Sequence, residues 1–147
     1  MKTYVLCVNT DEDSVRNFKK INSDLDLSNA MIHIVNLVEI KMYNSDLVPY
    51  VYPYEEQFPV IEQATLSILE GLGESLGVQK NRLITKCFFT YEEKEKIVEY
   101  LQEVNADLVV SATRGKSGLA GFFSSSFTEH LCKFSPCDVL VLRPVNK

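Results

Sequence analysis

The sequence has no long apolar run, no recognisable secretory leader and no excess of positive charge, and each absence argues against a class of protein. No apolar stretch in the 147 residues approaches the ~18 residues that span a bilayer, so we expect no membrane partner. The N-terminus, "MKTYVLCVNTDEDS", passes from a short apolar run into acids and lacks a signal peptide's longer apolar region and cleavage site. The expected location is therefore the cytoplasm. The net charge of −5 argues against binding to nucleic acid, which requires a cationic footprint.

The four cysteines form no C-x-x-C pair. In a cytoplasmic chain we expect buried apolar thiols and no disulfides at Cys7, Cys87, Cys132 and Cys137. His130 stands near the last two cysteines, but the spacing matches no common zinc pattern, and no metal site is predicted. The other histidine, His33, lies among apolar residues with no nucleophile nearby. It is predicted to be a satisfied core or sheet-edge residue.

Five short, β-branched runs, nearly continuous in apolar character, alternate with helical patterns along the chain. Runs that are apolar on both faces are typical of strands buried in a parallel sheet. Strict alternation of strand and helix predicts an α/β fold, a five-stranded parallel open sheet with helices on both faces, in one domain over residues 1–147. The predicted strands are Thr3–Asn9, Met31–Val38, Arg82–Phe89, Asp107–Ala112 and Asp138–Arg143.

The helices are predicted from caps and from apolar residues at helical spacing. Thr10 is expected to cap a first helix over Asp11–Ile21. A second helix is expected from Pro59 to about Leu76, with Gly77 marking its end. A third helix follows a capping box made by the threonine and glutamate of "TYEE" at 90–93.

The stretch Glu39–Pro59 stands apart because it carries four tyrosines and three prolines and is long for a loop. Tyr50, Tyr52 and Tyr54 alternate, which is typical of an extended segment. Three interpretations remain open for this arm: it packs on its own domain, it contacts a second subunit, or it covers the site.

Ligands of open α/β sheets bind beyond the carboxyl ends of the strands, where the strand order reverses. The segment Thr113–Glu129 lies there, and it contains three glycines and two basic residues. One interpretation is a cradle for phosphate at a helix N-terminus. The other is an ordinary turn followed by a helix with a capping box at Ser126 and Glu129. The segment matches neither the Walker motif nor G-x-G-x-x-G.

The stretch "ADLVVSATRGKSGLAGFFSSSFTEHLCKFSPCDVLVLRP" resembles the universal stress protein family densely over about forty residues, and "YVLCVNTDEDS" resembles the family's start more weakly. The order of strands and helices extends the resemblance along the whole chain. It implies a Rossmann-like fold of the adenine nucleotide alpha hydrolase-like group, with residues 39–59 in a variable region. It also implies a homodimer formed through the C-terminal strand, residues 138–144.

Many family members bind ATP through Gly-x2-Gly-x9-Gly-Ser/Thr, and the spacing is intact in this sequence. Ala112 and Ser125 stand at the first and third glycine positions, and Asn9 stands where ATP-binding members carry Asp. The resemblance places adenine near Val8, Asn9 and Leu37. It places phosphates on the backbone of Gly115, Ser125, Ser126 and Phe127, beside Arg114, assisted by the hydroxyls of Ser126 and Thr128. Mg²⁺ or Mn²⁺ would be held mainly by phosphates and water, because Asn9 is a poor ligand for a hard cation.

The resemblance and the substitutions together lead to a regulatory or sensor module that has weakened or lost ATP binding and acts on an unidentified protein partner. The alternative is an ATP-binding switch in which nucleotide orders the loop at 113–123. A third hypothesis is an enzyme of the wider adenine-nucleotide-binding group. No pair of base and nucleophile is visible, so no catalytic residue is predicted and any ATP hydrolysis would be slow and incidental.

Overall fold

The computed structural model describes residues 1–44, 46–113 and 125–144, the first two residues of the last range by their backbone alone. Its strands are β1 (Lys2–Cys7), β2 (Ala30–Glu39), β3 (Lys41–Tyr43), β4 (Tyr50–Tyr52), β5 (Leu83–Thr90), β6 (Leu108–Ala112) and β7 (Asp138–Leu142). Five of these strands form one sheet in the order β5-β2-β1-β6-β7. Every pairing in this sheet is parallel, so the predicted α/β architecture is confirmed.

Helices cover both faces of the sheet, as the alternating pattern predicts. They are α1 (Glu12–Lys19), α2 (Phe58–Ser75), α3 (Glu93–Glu103) and α4 (Ser125–Phe134). On one face, α1 and α2 bury Phe18 and Leu69 against alternate residues of β1 and β2, such as Leu6. On the other face, α3 and α4 bury Ile97 and Phe127 against the intervening strand residues. Successive strand residues point to opposite faces, which is why nearly continuous apolar runs are needed here.

The predicted caps of the first and third helices are wrong. The first helix is capped by Asp11 and not by Thr10: the Asp11 carboxylate accepts a hydrogen bond from the Ser14 N–H at 2.9 Å. No side chain caps α3, so the predicted capping box is wrong. Thr90 ends β5, and its hydroxyl accepts a hydrogen bond from the Glu92 N–H at 3.1 Å, which makes a local turn.

The end of α2 agrees with the sequence. Gly77 has a positive φ of 74°, and its N–H donates to the carbonyl of Glu74 at 3.0 Å. The N–H of Val78 donates to the carbonyl of Gly73 at 3.1 Å, which completes a Schellman motif. Glycine is favoured at position 77 because other residues are strained at this φ.

The arm at 39–59 contains an antiparallel hairpin of β3 and β4, an element that the sequence analysis does not predict. Tyr43 and Tyr50 stack across the hairpin with ring centroids 5.4 Å apart, and both side chains are exposed. Phe58 at the start of α2 stacks on Phe89 of β5 with centroids 4.0 Å apart. The arm is therefore joined to the domain at the edge of the sheet formed by β5.

No helix in the described ranges combines the length and the apolar character needed to cross a membrane. Within the same residues, β5 and β7 form the two edges of the main sheet.

Candidate functional site

The candidate site lies at the carboxyl ends of β1 and β6, where the strand order reverses. From β1 the chain proceeds to β2 on one side, whereas β6 and β7 lie on the other side. In open α/β sheets, this crevice is the usual ligand position. The structure brings Val8, Asn9, Leu37 and Ala112 to this edge through β1, β2 and β6.

Val8 and Leu37, the predicted neighbours of adenine, are packed in the hydrophobic core. Their exposed fractions are 2% and 8%. The N–H of Val8 donates to the carbonyl of Val35 at 2.9 Å. Its carbonyl accepts a hydrogen bond from the side-chain amide of Asn36 at 2.8 Å. Both polar backbone groups of Val8 are thus satisfied internally, and these residues contribute mainly a floor to the crevice.

Asn9 stands in the turn between β1 and α1, and local hydrogen bonds fix that turn. The N–H of Asn9 donates to the Ser14 hydroxyl at 3.0 Å, and Ser14 in turn donates its own N–H to Asp11. Asn9 is half-buried at this edge of the sheet. An amide at this point supplies hydrogen bonds without the charge of a carboxylate.

The end of β6 contributes the most informative polar group of the crevice. Thr113 follows Ala112 and continues the pairing with β7, because its N–H donates to the carbonyl of Leu142 at 3.0 Å. Its hydroxyl oxygen is buried and has no hydrogen-bond partner among the described residues. Buried polar atoms are nearly always paired, so a buried hydroxyl without a partner at the end of β6 calls for an explanation. Thr113 is not among the predicted site residues, although its place between Ala112 and Arg114 inside the family motif is a usable signal.

The first turn of α4 includes four predicted phosphate-site residues. Ser125 and Ser126 lie within the helix, which begins one residue earlier than the predicted cap. Phe127 is 1% exposed and its side chain belongs to the core. The hydroxyl of Thr128 is buried and bonded to the Ser111 hydroxyl at 2.9 Å. Thr128 therefore joins α4 to β6. Its hydroxyl points toward the sheet, whereas the prediction directs it toward the phosphates of a ligand.

Arg114 and Gly115, the two remaining predicted residues, lie outside the described residues, as do the side chains of Ser125 and Ser126. The phosphate cradle over 112–128 therefore stays a prediction. Glu129, predicted as the second member of a capping box, lies 3.6 Å from Lys133 in an exposed ion pair.

The four cysteines differ in burial. Cys7 and Cys87 are buried, as predicted, and burial raises the pKa of both thiols. Cys132 is exposed, so the expectation of a buried thiol is wrong there: it lies on the outer face of α4. Cys137 is half-buried, and burial raises the pKa of its thiol as well. Within the described ranges, no three His, Cys, Asp or Glu side chains gather in a way that could hold a metal ion.

The parallel sheet and the crevice at its switch point define an α/β protein of the Rossmann-like class. The model of the universal stress protein family matches residues 1–143. The chain belongs to the universal stress protein family. A protein of Staphylococcus aureus (strain USA300) that bears the family's name is 28% identical over 116 residues, which are 79% of this chain and 68% of that relative.

Solved structures of the family have the same fold over nearly the whole chain. A universal stress protein in complex with cAMP has a TM-score of 0.67 at 22% identity and covers 98% of this chain and 98% of its own. A universal stress protein from Archaeoglobus fulgidus in complex with dAMP has a TM-score of 0.64 at 14% identity and covers 97% of this chain and 98% of its own. At these identities the likeness shows the fold alone.

Proposed function

We propose that the chain is a cytoplasmic regulatory module that binds an adenine nucleotide weakly in the crevice between the carboxyl ends of β1 and β6. Occupancy of this crevice is the signal, and a protein partner reads it. Two family members of the same fold were solved with cAMP and with dAMP, which supports an adenine nucleotide as the ligand class.

The observation that carries the proposal is the unpaired hydroxyl of Thr113. This oxygen is buried at the end of β6 and has no partner among the described residues. Leaving such a group unsatisfied costs about 1–3 kcal/mol, which a ligand's polar atom would recover. Asn9 follows β1 at the same edge of the sheet, and we propose that its side-chain amide offers a second polar contact.

Weak binding follows from three residues that differ from the ATP-binding pattern. Asn9 lacks the carboxylate that would bind a ribose hydroxyl or a cation. Ala112 and Ser125 add side chains at two glycine positions of the cradle. A nucleotide with one phosphate requires fewer cradle contacts than ATP, so we expect AMP to bind at least as well as ATP.

We further propose a homodimer formed through β7. This strand pairs only with β6 within the described part of the chain, which leaves its outer edge unpaired. An apolar edge strand is a ready template for pairing with a second copy. A dimer would bring two crevices into one regulatory unit.

The proposal is tested by calorimetric titration of protein stripped of nucleotide by denaturation and refolding. AMP, cAMP and ATP are each titrated, and GMP serves as the control for the base. We expect saturable binding of AMP in the range from high micromolar to millimolar, with weaker binding of GMP. Absence of AMP, cAMP and ATP binding at millimolar concentration would overturn the proposal.

The alternative, an ATP-binding switch, predicts a different order of affinities. It requires ATP to bind more tightly than AMP, since the outer phosphates would make the contacts that order the loop. The Ser125→Gly variant provides a matched comparison, because it restores a glycine of the family cradle. We expect this variant to gain affinity for ATP more than for AMP.

A further inference from the structure

A second cavity lies away from the nucleotide crevice, between β5 and α3. Its volume is about 370 Å³, and none of its lining residues is among the predicted nucleotide contacts. Ile84 and Phe88 supply apolar surface from β5, and Phe88 packs edge-on against the Tyr100 ring with centroids 5.0 Å apart. A mostly apolar floor with a few convergent polar groups is typical of sites for small molecules.

His33 and Tyr100 form a hydrogen-bonded pair in the wall of this cavity. The Nδ1 atom of His33 lies 2.7 Å from the Tyr100 hydroxyl oxygen. The raised pKa of Tyr100, about 12 because of burial and the charge of Glu103, keeps its hydroxyl protonated. We assign the tautomer in which Tyr100 donates to Nδ1, which places the proton of the neutral ring on Nε2. The one hydrogen bond of the ring among the residues described here is that of Nδ1.

Two lysines stand around the pair and give the cavity a positive character. Lys86 on β5 is exposed and lies near enough to His33 to lower the pKa of the ring. The Nζ atom of Lys96 on α3 lies 4.9 Å from the centroid of the Phe88 ring. Glu103 is the one acid lining the cavity in the described structure, so the two lysines outnumber it. This is unusual in a chain whose net charge is −5.

Lys96 also approaches Glu99 at 3.6 Å, but that glutamate is 68% exposed. An exposed pair of this kind contributes little free energy, so Lys96 remains available to an anion. The cavity thus offers an apolar surface, two ammonium groups and an N–H donor that has no partner among the residues described.

We propose that this cavity binds a small organic anion, with an apolar body on Phe88 and Ile84 and a carboxylate or phosphate head between Lys86, Lys96 and Nε2 of His33. An anion at this position would give Lys86 and Lys96 a partner of opposite charge inside the cavity, in addition to the exposed pair of Lys96 with Glu99. It would also accept a hydrogen bond from Nε2, which donates to none of the described residues. The site is independent of the proposed nucleotide crevice.

The experiment follows the imidazole ¹H and ¹⁵N signals of the full chain by NMR during titration with benzoate or phenyl phosphate. The sequence has two histidines, so His130 on α4 serves as the internal control. We expect the His33 signals to shift and saturate at millimolar concentration, while the His130 signals remain unchanged. Benzamide, a neutral analogue of benzoate, and inorganic phosphate, which lacks the apolar body, are both expected to bind more weakly than benzoate and phenyl phosphate.

Matched variants locate the anion. Lys86→Gln is expected to weaken benzoate binding about threefold to tenfold, because it removes one cation near the head group. Lys19→Gln makes the same charge change on α1, across the sheet, and is expected to leave binding unchanged. Tyr100→Phe is expected to change the ¹⁵N shifts of the His33 ring even without ligand, since Nδ1 loses its donor. Failure of His33 to saturate, equal binding of benzamide, or unchanged binding in Lys86→Gln would each overturn the proposal.

Discussion

At the scale of single residues, two threonines near the crevice have hydroxyls in opposite surroundings. The Thr128 hydroxyl is buried and paired with Ser111, whereas the Thr113 hydroxyl is buried without a partner among the described residues. The first therefore contributes to stability, and we propose that the second contributes to binding. The family pattern marks Thr128 and passes over Thr113, because a sequence motif records positions and not the direction of a side chain.

Thr113→Val tests this division, since valine keeps the shape and removes the hydroxyl. We expect AMP affinity to fall about fivefold to tenfold, the equivalent of one hydrogen bond of about 1 kcal/mol. The free energy of unfolding should stay unchanged or rise, because an unpaired buried hydroxyl is removed. Calorimetry and urea denaturation measure the two quantities.

Thr128→Val is the matched control for that prediction. It leaves Ser111 without its partner, so we expect the free energy of unfolding to fall by about 1–2 kcal/mol with AMP affinity nearly unchanged. The reverse pattern, with stability lost in Thr113→Val and affinity lost in Thr128→Val, would contradict the assignment.

His33 gives the protein a pH dependence whose sign can be stated. Burial first, and the charge of Lys86 second, lower the pKa of the ring below its ordinary value of 6.5. The unfolded chain therefore takes up the proton before the folded protein does, and stability falls as the pH drops below about 6.5. The titratable groups that line the cavity with the ring are Tyr100, Lys96 and Glu103 on α3 and Lys86 on β5.

His33→Gln is expected to remove this loss of stability. Denaturation curves from about pH 7.5 to about pH 5 should show the wild type losing free energy of unfolding relative to the variant. Other titrating groups are common to both proteins and cancel in the difference. His130→Gln is the control and should follow the wild type; parallel curves for wild type and His33→Gln would contradict the expectation.

At the scale of elements, strands and helices were predictable where the chain itself carries the signal. Gly77 ends α2 because the positive φ of 74° favours glycine there, and that requirement is visible in the sequence. Thr90 is a residue type that caps helices, and it stands three places before Glu93, as a capping box requires. The structure differs because β5 extends through Thr90 and places its hydroxyl in a turn. The hairpin of β3 and β4 escaped prediction because its partner strands are short and lack a two-residue turn signal.

Two glycines in α2 provide an element-scale test. A methyl group at Gly71 would meet nothing within 4 Å, so Gly71→Ala should stabilise the protein by about 0.5–1 kcal/mol through helix propensity. A methyl group at Gly73 would lie 2.6 Å from a side-chain carbon of Leu83, at the start of β5. We expect Gly73→Ala to destabilise by about 1 kcal/mol, because Leu83 has to move. Equal effects of the two substitutions in thermal denaturation would contradict the close packing of α2 on β5.

At the scale of the whole molecule, the sheet order determines which groups meet. The pairing of His33 with Tyr100 joins residues 67 apart in sequence, and no local pattern announces it. The sequence predicts His33 as a satisfied core or sheet-edge residue. The structure confirms this, because His33 is buried and its Nδ1 atom is hydrogen-bonded to Tyr100. The partner, the cavity and the lysines around it depend on how α3 packs across β2 and β5, and sequence periodicity does not specify that.

The predicted homodimer forms through the outer edge of β7. Val141→Lys places a charge on this strand and is expected to convert a dimer to a monomer, because an edge lysine opposes strand pairing. Val60→Lys, at a 71% exposed position of α2, is the control and should leave the dimer intact. Analytical ultracentrifugation measures the outcome; a dimer that persists in Val141→Lys would exclude pairing through β7.

The most direct test of weak nucleotide binding at the switch point is an amide ¹H–¹⁵N NMR titration of the stripped protein with AMP. We expect saturable shifts at Asn9, at Thr113 and at Phe127 in the first turn of α4, with little change at Lys86 in the second cavity. This pattern would place the nucleotide between the carboxyl ends of β1 and β6. No saturable shift at these three amides up to millimolar AMP, or shifts centred on β5 and α3, would contradict the proposal.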